Sequence, residues 1–184
     1  MRLIAVNQGL AIRTLPLHIT SSGRFGNLPL LAALNQSGFR VSFTWGTANR
    51  AIYSPVAMPS AFTIARFMVA NNNNASGTAD VGLYSAAGKK LFSTGATARS
   101  TVNVLEYYSV TAANFPAGFY YLALLCSSAT AQIDAALGGD TPTLQASGFL
   151  QENVGAATLP TTMTPAQYTA QAIPSYGFTQ SATL

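Results

Sequence analysis

Apolar and polar residues alternate in short bursts along most of this chain, and the bursts end at turn residues. Val41-Ser42-Phe43-Thr44-Trp45 repeats with period two, as in a strand whose two faces meet different surroundings. Arg50 to Pro55 follows, and Ala61 to Ala70 is a longer β-rich run carrying Phe62, Ile64, Phe67 and Val69. Asn71 to Gly77 reads as a loop, because Asn and Gly tolerate left-handed backbone. Asp80 to Tyr84 and Leu91 to Thr94 flank Ser85 to Lys90 and predict a hairpin. Val102 to Val110 predicts another strand. Asn114 to Gly118 breaks the chain before Phe119 to Cys126, and Thr130 to Ile133 continues after a Ser-rich bend. Ile173 to Phe178 predicts a closing strand that returns to the sheet.

Helix signals are weak. The Ala-rich piece 129–136 has no sustained 3.6-residue period and no capping box. Short strands with turn signals every ~8–12 residues predict an all-β fold, an antiparallel β-sandwich of jelly-roll type. Phe119 to Cys126 is apolar on both faces, with Phe119, Tyr121, Ala123 and Leu125 opposite Tyr120, Leu122, Leu124 and Cys126. Such a strand is covered on both sides, by the sandwich core and by either a subunit or an overlying arm.

Segment 1–40 is different. Pro16, Pro29 and several glycines interrupt short apolar patches such as Leu3-Ile4 and Leu28-Pro29-Leu30-Leu31, and no period is sustained. Residues 28–35 are compatible with a brief helical turn. The segment reads as an extended arm lying on a neighbouring surface, with an edge strand and loops of the same domain as the alternative. The expected organisation is an arm over 1–40 and one sandwich domain over 41–184. A chain of 184 residues can bury a real core without disulfides or metal.

Charge changes the picture. Charged residues make up only 8% of the chain, where about 25% is usual. All nine Lys and Arg lie at or before Arg99, against the single acid Asp80. Glu106, Asp134, Asp140 and Glu152 follow, giving +8 and −4 within the overall +4. A surface so poor in charge suits a protein covered by copies of itself or by other subunits. The residues expected to meet such neighbours are Arg2, Arg13, Arg24, Arg40, Trp45, Arg50 and Arg66. The basic residues are scattered, with Lys89-Lys90 the only adjacent pair, which speaks against nucleic acid as a partner.

Little catalytic chemistry is legible. His18 is the sole histidine, so a serine triad has one candidate base, and no Gly-x-Ser-x-Gly elbow is present. Of the five acids, Glu106 is the best candidate for a hydrolytic role, with an outward-facing or interface carboxylate as the stronger reading. No metal-ligand cluster, phosphate loop or dinucleotide fingerprint stands in the chain, so no catalytic residue, metal or cofactor is expected. Cys126, the single cysteine, reads as a buried small hydrophobe. Polar residues Asn7 and Gln8 break the N-terminal apolar stretch, and no run approaches a membrane helix. Synthesis in a cytoplasm without a cleaved signal or membrane insertion is expected. Trp45, Tyr53, Tyr84, Tyr107, Tyr108, Tyr120 and Tyr121 could stack on sugars if exposed.

Three stretches carry a resemblance: Asn49 to Pro55, Asp80 to Gly88 leading on to Gly95, and Pro116 to Leu124. Together with Ile173 to Phe178 they resemble β-sandwich virion structural proteins of tailed bacteriophages, over about 45–178. The resemblance implies a structural part of a virion, a head-decoration, fibre or tail-tip component, working as a homo-oligomer of three or more copies with other virion proteins. A carbohydrate-binding or host-receptor-binding adhesin module is the alternative.

Overall fold

Fifteen strands and one short helix form over the residues described, 18–19, 24–26, 41–137 and 141–180 of a computed structural model. In chain order they are β1 (His18–Ile19), β2 (Arg24–Gly26), β3 (Val41–Thr44), β4 (Arg50–Met58), β5 (Phe62–Ala70), β6 (Thr78–Ser85), β7 (Lys90–Ser93) and β8 (Thr97–Ala98). Then come β9 (Leu105–Phe115), β10 (Gly118–Cys126), β11 (Gln132–Leu137), α1 (Thr141–Ala146), β12 (Leu150–Asn153), β13 (Ala166–Gln167), β14 (Ala172–Pro174) and β15 (Tyr176–Thr179).

One sheet has the order β1-β2-β15-β5-β9 and the other β13-β12-β4-β10-β6-β7, with β8 also paired to β6. A smaller sheet, β14-β11-β3, adjoins them. Numbering β2, β4, β5, β6, β7, β9, β10 and β15 from 1 to 8 gives strand orders 1-8-3-6 and 2-7-4-5. That is the two-sheet antiparallel jelly roll expected from the strand spacing. β2 supplies the first of those strands, lying between β1 and β15. The remainder of the expected arm and the 28–35 turn lie outside the described residues.

The closing strand is where predicted, with one refinement. The Ser175 N–H donates to Asp134 O at 2.8 Å, and the Ala70 N–H donates to Ser175 O at 3.0 Å. The strand therefore leaves β11 and joins β5 at that residue. The expected strand 102–110 begins later and runs on to Phe115. The single helix among the described residues, α1, was not foreseen. Pro142 sits in its first turn, where a missing N–H costs no hydrogen bond, and Leu144 is its buried residue.

Side-chain parity builds the core. Even residues of β4 and β10 (Ile52, Val56, Leu122, Leu124) and odd residues of β6 (Val81, Leu83) meet Phe67, Val69 and Phe178 of the facing sheet. In β5 the inward set changes from even (Phe62, Ile64) to odd (Phe67, Val69), because the register shifts between Ile64 and Arg66. An extra residue resets the alternation, so all four side chains reach the same core. Rings from five strands gather at one end: Phe62 lies 5.4 Å from Phe115 and Phe178 and 5.5 Å from Tyr120, and Phe92 lies 6.1 Å from Phe115. Tyr176 crosses the sandwich to place its hydroxyl 2.7 Å from Ser54 Oγ and 3.2 Å from the carbonyls of Ile52 and Leu122. Burial raises its hydroxyl's pKa, leaving it a neutral bridge between sheets.

Candidate interaction surfaces

The outer face of β4, β10 and β6 is apolar, and the chain covers it itself. Residues 154–165 run across this face as a strap. Leu159 and Met163 pack with Ala51, Tyr53, Tyr84, Ala123 and Leu125 in a second buried cluster. The overlying element expected on the second face of Phe119–Cys126 is thus this downstream segment for much of the strand.

Polar groups pin the strap. Asp80, wholly buried, accepts from the Leu159 N–H at 2.8 Å and from Thr94 Oγ1 at 3.2 Å. Tyr84 donates to Pro160 O at 2.6 Å and Lys90 Nζ to Leu159 O at 2.7 Å. Tyr53 stands edge-on to Tyr84 at 5.4 Å and donates to Glu152 Oε2 at 2.9 Å, and that carboxylate also holds the Thr164 N–H and hydroxyl. Burial raises both phenols' pKa values; the nearby Tyr84 and Glu152 push the Tyr53 hydroxyl further up. Gly82 has no room for a side chain: a Cβ there would sit 2.8 Å from Phe92 O and 2.9 Å from Leu159 Cδ1. Gly88 has φ +76° and turns the β6–β7 hairpin, and its carbonyl accepts from the Met163 N–H at 2.8 Å.

A second polar cluster closes one end of the sandwich. Arg99, nearly buried, donates to Asn71 Oδ1 through Nε (3.0 Å) and Nη2 (2.7 Å), and to Gln132 O at 2.7 Å. Asn71 in turn donates to Glu106 Oε2 at 2.5 Å. Glu106 also accepts from Tyr108 at 2.9 Å, from the Ser100 N–H at 3.1 Å and from Ser100 Oγ at 2.8 Å. Burial pushes the Glu106 carboxyl up, but the donors of Ser100, Asn71 and Tyr108 outweigh it and hold it below the ordinary carboxylate range. Cys126 is fully buried, and burial pushes its thiol up to about 12 against the opposing pull of Arg99 and Arg50.

The expected interface residues separate on this framework. Trp45 is wholly buried, which corrects its assignment to a surface: its ring packs in the core and its Nε1 donates to Arg50 O at 2.9 Å. Arg50 lies with its guanidinium 5.7 Å from the Phe43 ring and 5.5 Å from the Trp45 ring, and it donates to Trp45 O. It clamps the β3–β4 connection. Arg50 shares a sheet row with Cys126 and Ala79, whereas Asp80 is one residue out of phase, so the two point to opposite faces. Arg66 is half-buried, in register with Ser109 and Thr179. Arg24 pairs through its backbone with Thr179. Arg2, Arg13 and Arg40 lie outside the described residues. Glu106 and Glu152 already accept several internal hydrogen bonds, so an arginine from another copy would compete with those donors.

Of the seven rings offered for stacking, Trp45, Tyr53, Tyr84, Tyr108 and Tyr120 are buried, and Tyr107 and Tyr121 are partly covered. Among the described residues the exposed ring is one the sequence reading left out: Phe119, 42% accessible, stands edge-on to Tyr121 at 5.4 Å. Beside them is an open hollow of about 200 Å³ lined by Ala86, Ala87, Gly88, Tyr121, Leu150, Met163 and Pro165. Among the described residues no cluster of His, Cys, Asp or Glu could hold a metal ion, and no helix is long and apolar enough to cross a membrane. No protein-family model matches this sequence, and no curated protein matches it at a significant level.

Proposed function

We propose that this chain is a non-enzymatic structural subunit of a tailed-phage virion, a capsid decoration or cement protein or a fibre or tail part, acting through contacts with copies of itself. The carrying observation is an uncharged exposed surface. No charged residue stands between Glu106 and Asp134, and within that run Ser109, Thr111, Ala112, Asn114 and Pro116 to Phe119 are exposed. A surface without like charges has no electrostatic barrier to close packing, and little to keep concentrated monomers apart. The jelly roll is compatible with this role, since viral capsid domains use it, but lectins use it too and the fold alone assigns neither. Native mass spectrometry of the purified full chain, followed by a test of its co-sedimentation with particles, decides the matter. The reading expects an oligomer that joins particles; a monomer that never does so overturns it.

The exposed Phe119 beside its hollow favours a second reading, a carbohydrate- or receptor-binding module. Glycan-array binding that Phe119→Ala abolishes would establish it in place of the first.

A further inference from the structure

We infer that the outer edge of β9 is the contact between copies: its first half pairs antiparallel with the same strand of a second copy, across a two-fold axis near Tyr107. The inference rests on the assembly reading and gives it a surface and a symmetry.

Sheet ends differ sharply in length. β1 and β13 have two residues each and β7 has four, while β9 has eleven. A strand edge presents unpaired N–H and C=O groups that accept another strand, and natural edges are guarded by shortness, by charge, by proline or by bulges. β7 carries Lys90 and a register shift. β9 has no charge after Glu106 and no proline, and among the described residues it pairs only with β5. It does bulge, because three of its residues (Val110 to Ala112) face the single Ala65. The bulge leaves Leu105–Ser109 as a regular edge in register with Arg66 to Ala70.

That edge complements itself. An antiparallel two-fold about Tyr107 sets Leu105 against Ser109 and Glu106 against Tyr108, so no like charges meet. The Glu106 carboxylate is already held by Asn71, Ser100 and Tyr108. Leu105 and Tyr107 already pack on Met68 and Ala70 of the neighbouring strand, and a second copy would extend this apolar strip. A separate observation marks the same place. Val102 (45%) and Val104 (39%) are two of the four large apolar side chains left exposed among the described residues. They lie just before the strand, where the second copy's Val110 to Ala112 would pass.

Native mass spectrometry of the full chain, with Ser109→Lys and separately Val104→Lys, tests this, since both positions are exposed and a charge on the edge opposes strand pairing. Circular dichroism checks that each variant is folded. The expected result is an even-numbered wild-type oligomer whose mass falls by half in either variant. Tyr107→Cys should form a disulfide-linked dimer under mild oxidation, because the native Cys126 is buried. An odd-numbered wild-type ring, or folded variants that keep the wild-type mass while Tyr107→Cys fails to cross-link, overturns the inference and leaves the assembly reading standing. A wild-type monomer at every concentration, absent from particles, overturns both.

Discussion

The seven-stranded sheet is finished by its own chain, whereas the five-stranded sheet ends in a long strand that no described residue pairs on its far side. The outer face of the first is covered by the 154–165 strap, held by Asp80, Tyr84, Lys90 and Glu152, and its terminal strands are short. The second ends in β9, eleven residues with one acid at its start. Both regions are poor in charge, yet their few ionisable groups are spent differently. On the strap side they satisfy backbone groups of a segment that would otherwise leave an apolar face wet. At β9 the one carboxylate is turned into the end cluster with Arg99 and Asn71, and the edge itself is left neutral. Low charge alone therefore does not mark a surface as an interface. What matters is whether the chain has already covered it.

Mutations should divide along the same line. Strap substitutions should lower stability and leave native mass unchanged, and edge substitutions should do the reverse. The largest effect is expected for Leu159→Ala, which removes a buried anchor at a cost of about 3 kcal/mol in denaturant unfolding. A change of oligomeric mass in that variant would erase the distinction. Gly82→Ala forces a methyl against Phe92 O and Leu159 and should cost about 2 kcal/mol, with faster proteolysis within 154–165 as its local signature. Tyr53→Phe keeps the ring against Tyr84 but deprives Glu152 of a donor; a loss of about 1 kcal/mol should be measurable by thermal unfolding.

Acid should act at the sandwich end. Glu106 has a folded-state pKa below its unfolded one, so its stabilisation is present above the ordinary carboxylate range and is lost as pH falls through the lowered value. Stability measured from about pH 5 downwards should fall less steeply in Glu106→Gln than in the parent. The smallest stability change, within about 0.5 kcal/mol, is expected for Ser109→Lys, although its effect on association should be the greatest of the set.

Parts of this arrangement were legible beforehand. Gly118–Cys126, the β6–β7 hairpin and the closing strand follow from local alternation and turn chemistry; the structure places the first two as expected and divides the third at Ser175 between two sheets. The strap was not legible, because residues 154–165 have neither period; they are ordered by side chains from Asp80, Tyr84 and Lys90, some seventy or more positions earlier. Arg99 was missed as a structural residue, since a lone arginine in sequence carries no sign of the asparagine and carbonyls that will surround it. Trp45 was placed outside because an aromatic after an alternating run can face either way.

By itself the sequence determined that the chain is all-β, roughly where its strands lie, and that its ionisable surface is sparse and uneven. These follow from properties that residues carry with them: a side-chain period of two, turn preferences, and charge. Only the tertiary structure decided which apolar face the chain seals for itself, how the register shift between β5 and β9 lets Phe67 and Val69 enter the same core as Phe62 and Ile64, and which strand is left as a neutral edge. Those outcomes depend on contacts between distant segments, and alternation along a strand says that a face will be covered without saying by what.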